Sequence, residues 1–202
     1  MDDKQILHDL LKFHGHYCWA GVGGLRMGLT ALRILGVQRT GAKALHAIIE
    51  TGYNHSAGCF ADGIQYATGC TLGKGNIERN PKGKLAVTLI DKKHNKAVRV
   101  AYRPASALMQ KIVNAPFTRK RGLGIPPDQI PKEEQEEVVN LMWEAPEQDI
   151  MLIGPVTDRE WQEEEEITRL VLCEGCGELV AESYMRVVNG KPVCMDCSGY
   201  SV

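Results

Sequence analysis

The chain has 202 residues, 44% of them hydrophobic and 24% charged, a composition typical of a globular protein that buries a core. Its formal net charge of -1 gives no general attraction to nucleic acid or to anionic membranes. The N-terminal segment has no basic stretch followed by an apolar run, and no segment reaches the length of a membrane span, so we expect a cytoplasmic protein. Seven cysteines, an odd number, favour metal ligands or free thiols over a disulfide framework.

The first half of the chain predicts three helices and one strand. Apolar residues recur at helical spacing in three segments, whereas a fourth segment is an almost continuous apolar run of strand length. Gly36 and Gly69 follow two of the helices and are typical of helix ends. Three glycines at helical spacing permit another backbone to approach the second helix closely: Gly21, Gly24 and Gly28. The predicted elements are helix 4–13, helix 20–35, strand 44–50 and helix 59–68.

The second half begins with the clearest strand pattern. Two segments alternate apolar and polar residues around the turn-like sequence DKKHN, which predicts an antiparallel hairpin. Residues 116–131 are rich in Pro, Gly and basic residues and are typical of a long surface loop. Hairpin-ordered strands with helices grouped around them indicate an α+β fold, an antiparallel sheet packed with helices. The predicted elements are strand 84–90, strand 96–102, helix 105–114, a helix after Pro131 and strand 149–156.

The composition changes after residue 156, where an acidic run begins. This run, DREWQEEEE, is typical of a solvated helix or a linker. We therefore predict a core domain over residues 1–156, an acidic linker or helix over residues 157–169 and a small domain over residues 170–202.

The small C-terminal domain has the spacing of a four-cysteine zinc site. Cys173 and Cys176 form one CxxC pair, Cys194 and Cys197 form the second, and 17 residues separate the pairs. A segment of this length does not bury enough apolar surface to fold without a cross-link or a metal ion, which favours zinc over four free thiols. Because four protein ligands leave no open coordination position, we expect the zinc to be structural.

The arrangement of this tail resembles a treble-clef or zinc-ribbon finger, a class that contacts both proteins and nucleic acids. Four acidic residues argue against a phosphate-binding surface: Glu174, Glu178, Glu182 and Asp196. We therefore expect the finger to bind a protein partner, whereas a nucleic acid is not favoured.

The remaining cysteines lie in the core domain. Cys59 and Asp62 are one turn apart on a predicted helix, which suits a metal site or thiol chemistry, although a buried thiol beside a surface carboxylate is the plainer interpretation. The sequence GCTLGKGN that follows is a poor match to a nucleotide-binding phosphate loop because its spacing is short and it follows a helix. Its glycines and Lys74 still suit a weaker anion site.

Several of these motifs resemble one family. The sequence FHGHYC before a glycine-rich helix, then CFADGIQYATGCTLGKGN and the strand GKLAVTL, are similar to the FmdE family, which is named for one of the subunits of formylmethanofuran dehydrogenase. The resemblance covers most of residues 1–156, and the tail resembles a finger found on some members. Where the family commonly has a proline and then a glycine after the cysteine, this chain has Trp19 and Ala20 before Gly21. The resemblance implies an α+β core, a homodimer and a cleft lined by the His/Cys motif and the Cys/Asp helix.

The resemblance also implies which side chains line the cleft. It implies that His14, His16 and Cys18 project from a turn between two helices, with His16 and Cys18 facing Cys59. These three donors suit zinc or another transition metal with one coordination position left open. Asp62 then orients a ligand or acts as a base, and Lys74 attracts an anionic substrate. The alternative is structural: the histidines hydrogen-bond backbone and the thiols pack as small apolar groups, with His55 a weaker candidate ligand.

Two classes of function follow from these observations. The first is an accessory metal-binding component of one-carbon (formylmethanofuran) or molybdenum/tungsten enzyme metabolism, with a metal or small anionic ligand in the cleft. The second is a non-catalytic adaptor whose finger binds a protein or a nucleic acid. The family name implies an oxidoreductase complex, but this sequence shows no redox-cofactor scaffold, because only three cysteines remain after the finger is assigned. Whether the chain is itself an enzyme stays open at this point.

Overall fold

Two compact units, Met1–Trp161 and Gln162–Val202, make up the chain. The computed structural model describes residues 3–53, 58–103, 106–162 and 168–200. Within these ranges no helix combines the length and the apolar character needed to cross a membrane.

The first unit contains one mixed sheet with helices packed on it. Most of its elements match the predicted ones in type and place, because their apolar periodicity is strong. Short 3-10 turns cover Leu72–Lys74 and Pro127–Gln129. In chain order the elements are α1 (Asp3–His14), α2 (Trp19–Leu35), β1 (Leu45–Ile49), α3 (Phe60–Thr68), β2 (Ile77–Arg79), β3 (Ala86–Asp91), β4 (Lys96–Tyr102), α4 (Ala107–Asn114), α5 (Pro116–Gly122), α6 (Lys132–Glu144), α7 (Glu147–Ile150), β5 (Met151–Ile153) and β6 (Thr157–Asp158).

The strand order of the sheet is β2-β1-β3-β4-β5, with β6 also paired to β4. All pairs are antiparallel except β1 with β2, which run parallel. Ala47, Leu89 and Val98 lie side by side across β1, β3 and β4 and are fully buried in the main core with Phe60 of α3. The predicted α+β fold with helices packed on a sheet is confirmed, and the sheet is antiparallel except for the β1–β2 pair.

The glycine face of α2 packs directly against α3. A Cβ atom on Gly24 would lie 2.1 Å from the backbone oxygen of Phe60, and one on Gly63 would lie 2.0 Å from the backbone oxygen of Gly21. Only hydrogen side chains let these two backbones approach so closely. Because this face is used within the chain, it gives no support to a dimer, and the homodimer stays a prediction that rests on the family.

The segment predicted as a long surface loop over residues 116–131 instead contains α5, so that prediction is wrong. Pro116 occupies the first turn of the helix, where its missing N–H costs nothing. Phe117 is 2% exposed, and Lys120 forms an ion pair with Glu134 of α6 at 2.7 Å. Tertiary packing therefore holds a helix that composition alone does not reveal.

The segment after residue 156 differs from the predicted linker at its start. Residues 157–161 lie with the first unit, where β6 extends the sheet. Trp161 packs against Ile48, Ile90 and Ala97 on the sheet face opposite the main core. The acidic residues 163–167 lie outside the described ranges.

The second unit consists of two short hairpins and a terminal helical turn. The sequence Asn189-Gly190 forms a two-residue turn between two strands, with φ of 51° and 80°, the left-handed values that such a hairpin loop requires. Its small core contains Cys173, Val193 and Cys194. The elements are β7 (Leu170–Leu172), β8 (Leu179–Ala181), β9 (Arg186–Val188), β10 (Lys191–Val193) and α8 (Met195–Ser198).

Candidate metal centres

The four cysteines of the second unit converge on one point. Their sulfur atoms all lie within 4.8 Å of one another, and Cys176 Sγ is 3.9 Å from Cys194 Sγ. A tetrahedral zinc ion with Zn–S bonds near 2.3 Å separates its sulfur ligands by about 3.8 Å, so the cluster has the size that zinc requires. A Cβ atom on Gly175 would lie 2.8 Å from Cys197 Sγ, which explains the glycine inside the first CxxC pair.

Backbone amides support the charge that zinc-binding sulfur carries. The N–H groups of Gly175 and Cys194 donate to Cys173 Sγ at 3.3 and 3.2 Å. The hydrogen bond from the Cys194 amide is the main reason that the pKa of Cys173 falls to about 6. The buried ligand of the cluster is therefore prepared as a thiolate, the form that binds metal.

A second cluster of donors lies in the first unit, at the junction of three helices. His14 ends α1, His16 and Cys18 occupy the turn before α2, and Cys59 precedes the first residue of α3. One donor atom from each of these four residues lies within 4.8 Å of the other three. The close α2–α3 packing brings Cys18 and Cys59 together although 41 positions separate them. The structure thus adds His14 to the three ligands predicted from the sequence.

Asp62 fixes the orientation of the His14 ring. Its Oδ2 atom lies 2.8 Å from His14 Nδ1, and its Oδ1 atom accepts a hydrogen bond from Gln65 Nε2 at 3.2 Å. His14 Nε2 is buried and has no hydrogen-bond partner in the described part of the chain. Carboxylates commonly hold metal-binding histidines in this way, leaving the other ring nitrogen for the metal.

The same contacts set the charges of the cluster. Asp62 is the main reason that the pKa of His14 rises to about 9. A hydrogen bond from the Cys59 thiol lowers the pKa of Cys18 to about 7, and the same bond raises the pKa of Cys59. One thiolate is therefore favoured near neutral pH, and a bound cation would favour the second.

Lys74 does not lie with the other predicted residues. Its ammonium donates to the backbone oxygens of Gly41 and Gly69, the latter at the C-terminal end of α3. Cys59 lies at the opposite end of this nine-residue helix, which is about 14 Å long at 1.5 Å per residue. A different cation, Arg121 of α5, contributes to lowering the pKa of Cys18. In the sequence, only the basic segment TRKRG indicated a cation here. The other candidate, His55, lies outside the described residues.

Comparison with protein families decides the relationship of the first unit. The family described as "FmdE, Molybdenum formylmethanofuran dehydrogenase operon" matches residues 13–152, more than half of the chain. The chain belongs to the FmdE family. Residues 167–201 match the prokaryotic dksA/traR C4-type zinc finger, so the tail of this FmdE chain is a four-cysteine zinc finger.

Two known proteins are similar to this FmdE chain over nearly its whole length. A "Probable S-adenosyl-L-methionine-binding protein" of Archaeoglobus fulgidus is 31% identical over 205 residues, which cover 93% of this chain. The match covers 51% of that protein, so the chain spans about half the length of this relative. A crystal structure of a protein described as "tungsten formylmethanofuran dehydrogenase subunit e (fmde)-like", from Syntrophus aciditrophicus, has a TM-score of 0.57 and 23% identity. The match covers 98% of this chain and 93% of that protein, and it shows the shared fold.

Proposed function

We propose that the core of this FmdE chain binds one divalent transition-metal ion, zinc or a similar ion, separate from the zinc of the finger. The main support for this proposal is that four donor atoms lie within 4.8 Å of one another, one each from His14, His16, Cys18 and Cys59. The unpartnered, buried Nε2 atom of His14 adds to it, because a buried polar atom without a partner is costly unless something binds it.

The residue types of this core cluster fit such an ion. Two thiolates balance the charge of a divalent cation, and the ion would displace the proton that Asp62 favours on His14. Mixed nitrogen and sulfur donors suit zinc and its neighbours in the first transition row. When bound, the ion supplies Lewis acidity or holds the junction of the helices together. Asp62 keeps His14 in position, and the packing of α2 on α3 keeps the Cys18 and Cys59 thiols close together.

Whether the core ion is structural or reactive depends on whether His16 stays bound to it. With His14 as a fourth donor, all four coordination positions are filled by protein, whereas the sequence predicted three ligands and an open position. His14 is held by Asp62, but among the described residues no carboxylate accepts a hydrogen bond from His16. Because His16 lacks this anchor, we assign it as the ligand whose release would open a position for a substrate.

We place this metal-binding protein in one-carbon or molybdenum/tungsten enzyme metabolism, as an accessory component. Support comes from the family description, which refers to a molybdenum formylmethanofuran dehydrogenase operon. The S-adenosyl-L-methionine binding named for the archaeal relative belongs to a protein of which this chain covers only half. The adaptor function and the finger's protein partner stay predictions. A protein partner would suit the three exposed leucines on the hairpin of β7 and β8: Leu170, Leu172 and Leu179.

Titration with cobalt(II), followed by its absorption spectrum, tests the core site. Thiolate-bound cobalt in a tetrahedral site gives charge-transfer and visible bands that solvent-exposed cobalt lacks. We expect the full chain to bind two equivalents with such bands and the Cys59→Ser variant to bind only one. Cys70→Ser is the matched control, because Cys70 is a fully buried free thiol outside both clusters.

The cobalt titration contradicts the proposal if wild type shows one equivalent, or if Cys59→Ser keeps both with unchanged spectra. Loss of the second equivalent in Cys70→Ser as well would attribute the effect to a damaged core. The far-ultraviolet circular dichroism of each variant is recorded beside the titration to identify that outcome.

A further inference from the structure

A cavity of about 490 Å³ lies in the first unit, between α3 and the edge of the sheet formed by β1 and β2. Its floor is apolar, formed by Ile49, Ala61 and Ile77, and its rim is polar, formed by Tyr53, Gln65 and Arg79. A small apolar cleft with a few convergent polar groups is the usual form of a small-molecule site, and this volume lies in the usual range.

The rim of this cavity carries a cation placed for an anion. The Arg79 guanidinium lies over the Tyr53 ring, with 5.4 Å between its central carbon and the ring centroid. Among the described residues, Arg79 has this ring contact and no carboxylate partner. A guanidinium stacked on a ring through its face keeps its N–H edge free, and that edge matches a carboxylate or phosphate.

The neighbouring acidic residue does not cancel this charge. Glu78 also borders the cavity, but it follows the alternation of β2 and its carboxylate lies 3.8 Å from His46 Nε2. His46 stacks on Trp161, which packs on the sheet face opposite the main core. Arg79 pairs in register with Ile49 of the cavity floor. The charged side chain on the cavity's own face is therefore the cation.

The Tyr53 side chain suits a flat ligand. It is 74% exposed, so the edge of its ring is open to contact with an aromatic ring.

The cavity wall also connects to the core cluster. Gln65 accepts a hydrogen bond from the Leu72 amide at 3.1 Å and donates to Asp62, which holds His14. A ligand against Gln65 thus lies two hydrogen bonds from a proposed metal ligand. This connection places the cavity beside the proposed core centre.

We infer that this cavity binds a small aromatic anion, a planar ring that bears a carboxylate or phosphate group. The ring lies on the apolar floor against the edge of Tyr53, and the anionic group pairs with Arg79. The inference goes beyond the metal site and does not depend on it, because none of the cavity residues is among the proposed metal ligands.

Ligand-observed saturation-transfer NMR on the full chain tests the inference, with phenyl phosphate and benzoate as probes and benzyl alcohol as their uncharged counterpart. We expect both anions to bind and the alcohol to bind at least tenfold more weakly. Arg79→Gln should weaken the anions at least tenfold, and Tyr53→Leu should weaken all three probes. Arg159→Gln, an exposed arginine at a different cavity, should change nothing.

Three results would overturn the inference: no binding of either anion, equal binding of the alcohol, or unchanged anion binding in Arg79→Gln. Metal content is measured for each variant. Weakened anion binding at unchanged metal content separates the cavity from the metal site, and failure of the metal proposal leaves this test intact.

Discussion

Replacing Cys173 with serine is expected to unfold the finger while the first unit stays folded. Cys173 is 1% exposed and receives two backbone hydrogen bonds on its sulfur, so it is the most enclosed of the four ligands. In zinc fingers the free energy of metal binding, about 10–16 kcal/mol, is also the free energy of folding. A hydroxyl in place of one thiolate removes most of this stabilisation, because the small core of the unit does not replace it.

Limited proteolysis with mass spectrometry measures this effect. Fragments cut within residues 170–197 should appear at least tenfold faster for Cys173→Ser than for wild type, and a chelator should have the same effect on wild type. Tyr184→Phe serves as the control, because Tyr184 is 60% exposed and lies outside the cluster. If neither Cys173→Ser nor chelator-treated wild type were cut faster than untreated wild type, zinc would not be what folds the finger.

Asp62→Asn should weaken metal binding at the core cluster by about ten- to a hundredfold, without changing the zinc of the finger. The carboxylate at 2.8 Å from His14 Nδ1 fixes the ring and makes its other nitrogen a better donor. An amide has nearly the same shape but no negative charge, so the loss reports on the electrostatic contact and not on packing.

Competition with a chromophoric chelator gives this affinity directly. Asp128→Asn provides the control, since Asp128 lies exposed in the turn before α6. Equal core affinities for wild type and Asp62→Asn would mean that Asp62 does not position a metal ligand. Equal loss from both clusters would point instead to a general effect on folding.

The finger was predictable from the sequence because its information is local. Two residues between the paired cysteines and a two-residue turn at Asn189-Gly190 specify the cluster almost without tertiary context. The core cluster is different. His16, Cys18 and Cys59 were linked to one another by the family resemblance, since sequence separation carries no distance across a cleft.

His14 was the ligand that the sequence prediction left out of its set. Its importance depends on Asp62, which is 48 positions away and meets it only once α1 and α3 are packed. Conversely, Lys74 looked suited to an anion in a glycine-rich turn, but backbone oxygens at the C-terminal end of α3 bind its ammonium. Both differences come from contacts between elements, which local patterns do not encode.

The fold shows the same division. Strong apolar periodicity predicted α2, α3 and the hairpin of β3 and β4 correctly. The helix α5 was missed because its stability depends on the burial of Phe117 and on the partner of Lys120. The glycine face of α2 was identified as a close-packing surface, but the sequence does not say which backbone approaches it.

The most direct test of the core metal site is the number of zinc ions per chain, measured by elemental analysis of protein purified without chelator and without a nickel-affinity tag. We predict two equivalents for wild type and one for the Cys18→Ala/Cys59→Ala double variant, with the fold of the variant retained by circular dichroism. One equivalent in both proteins, even after zinc is added, would contradict the core metal site and leave the finger as the sole zinc centre.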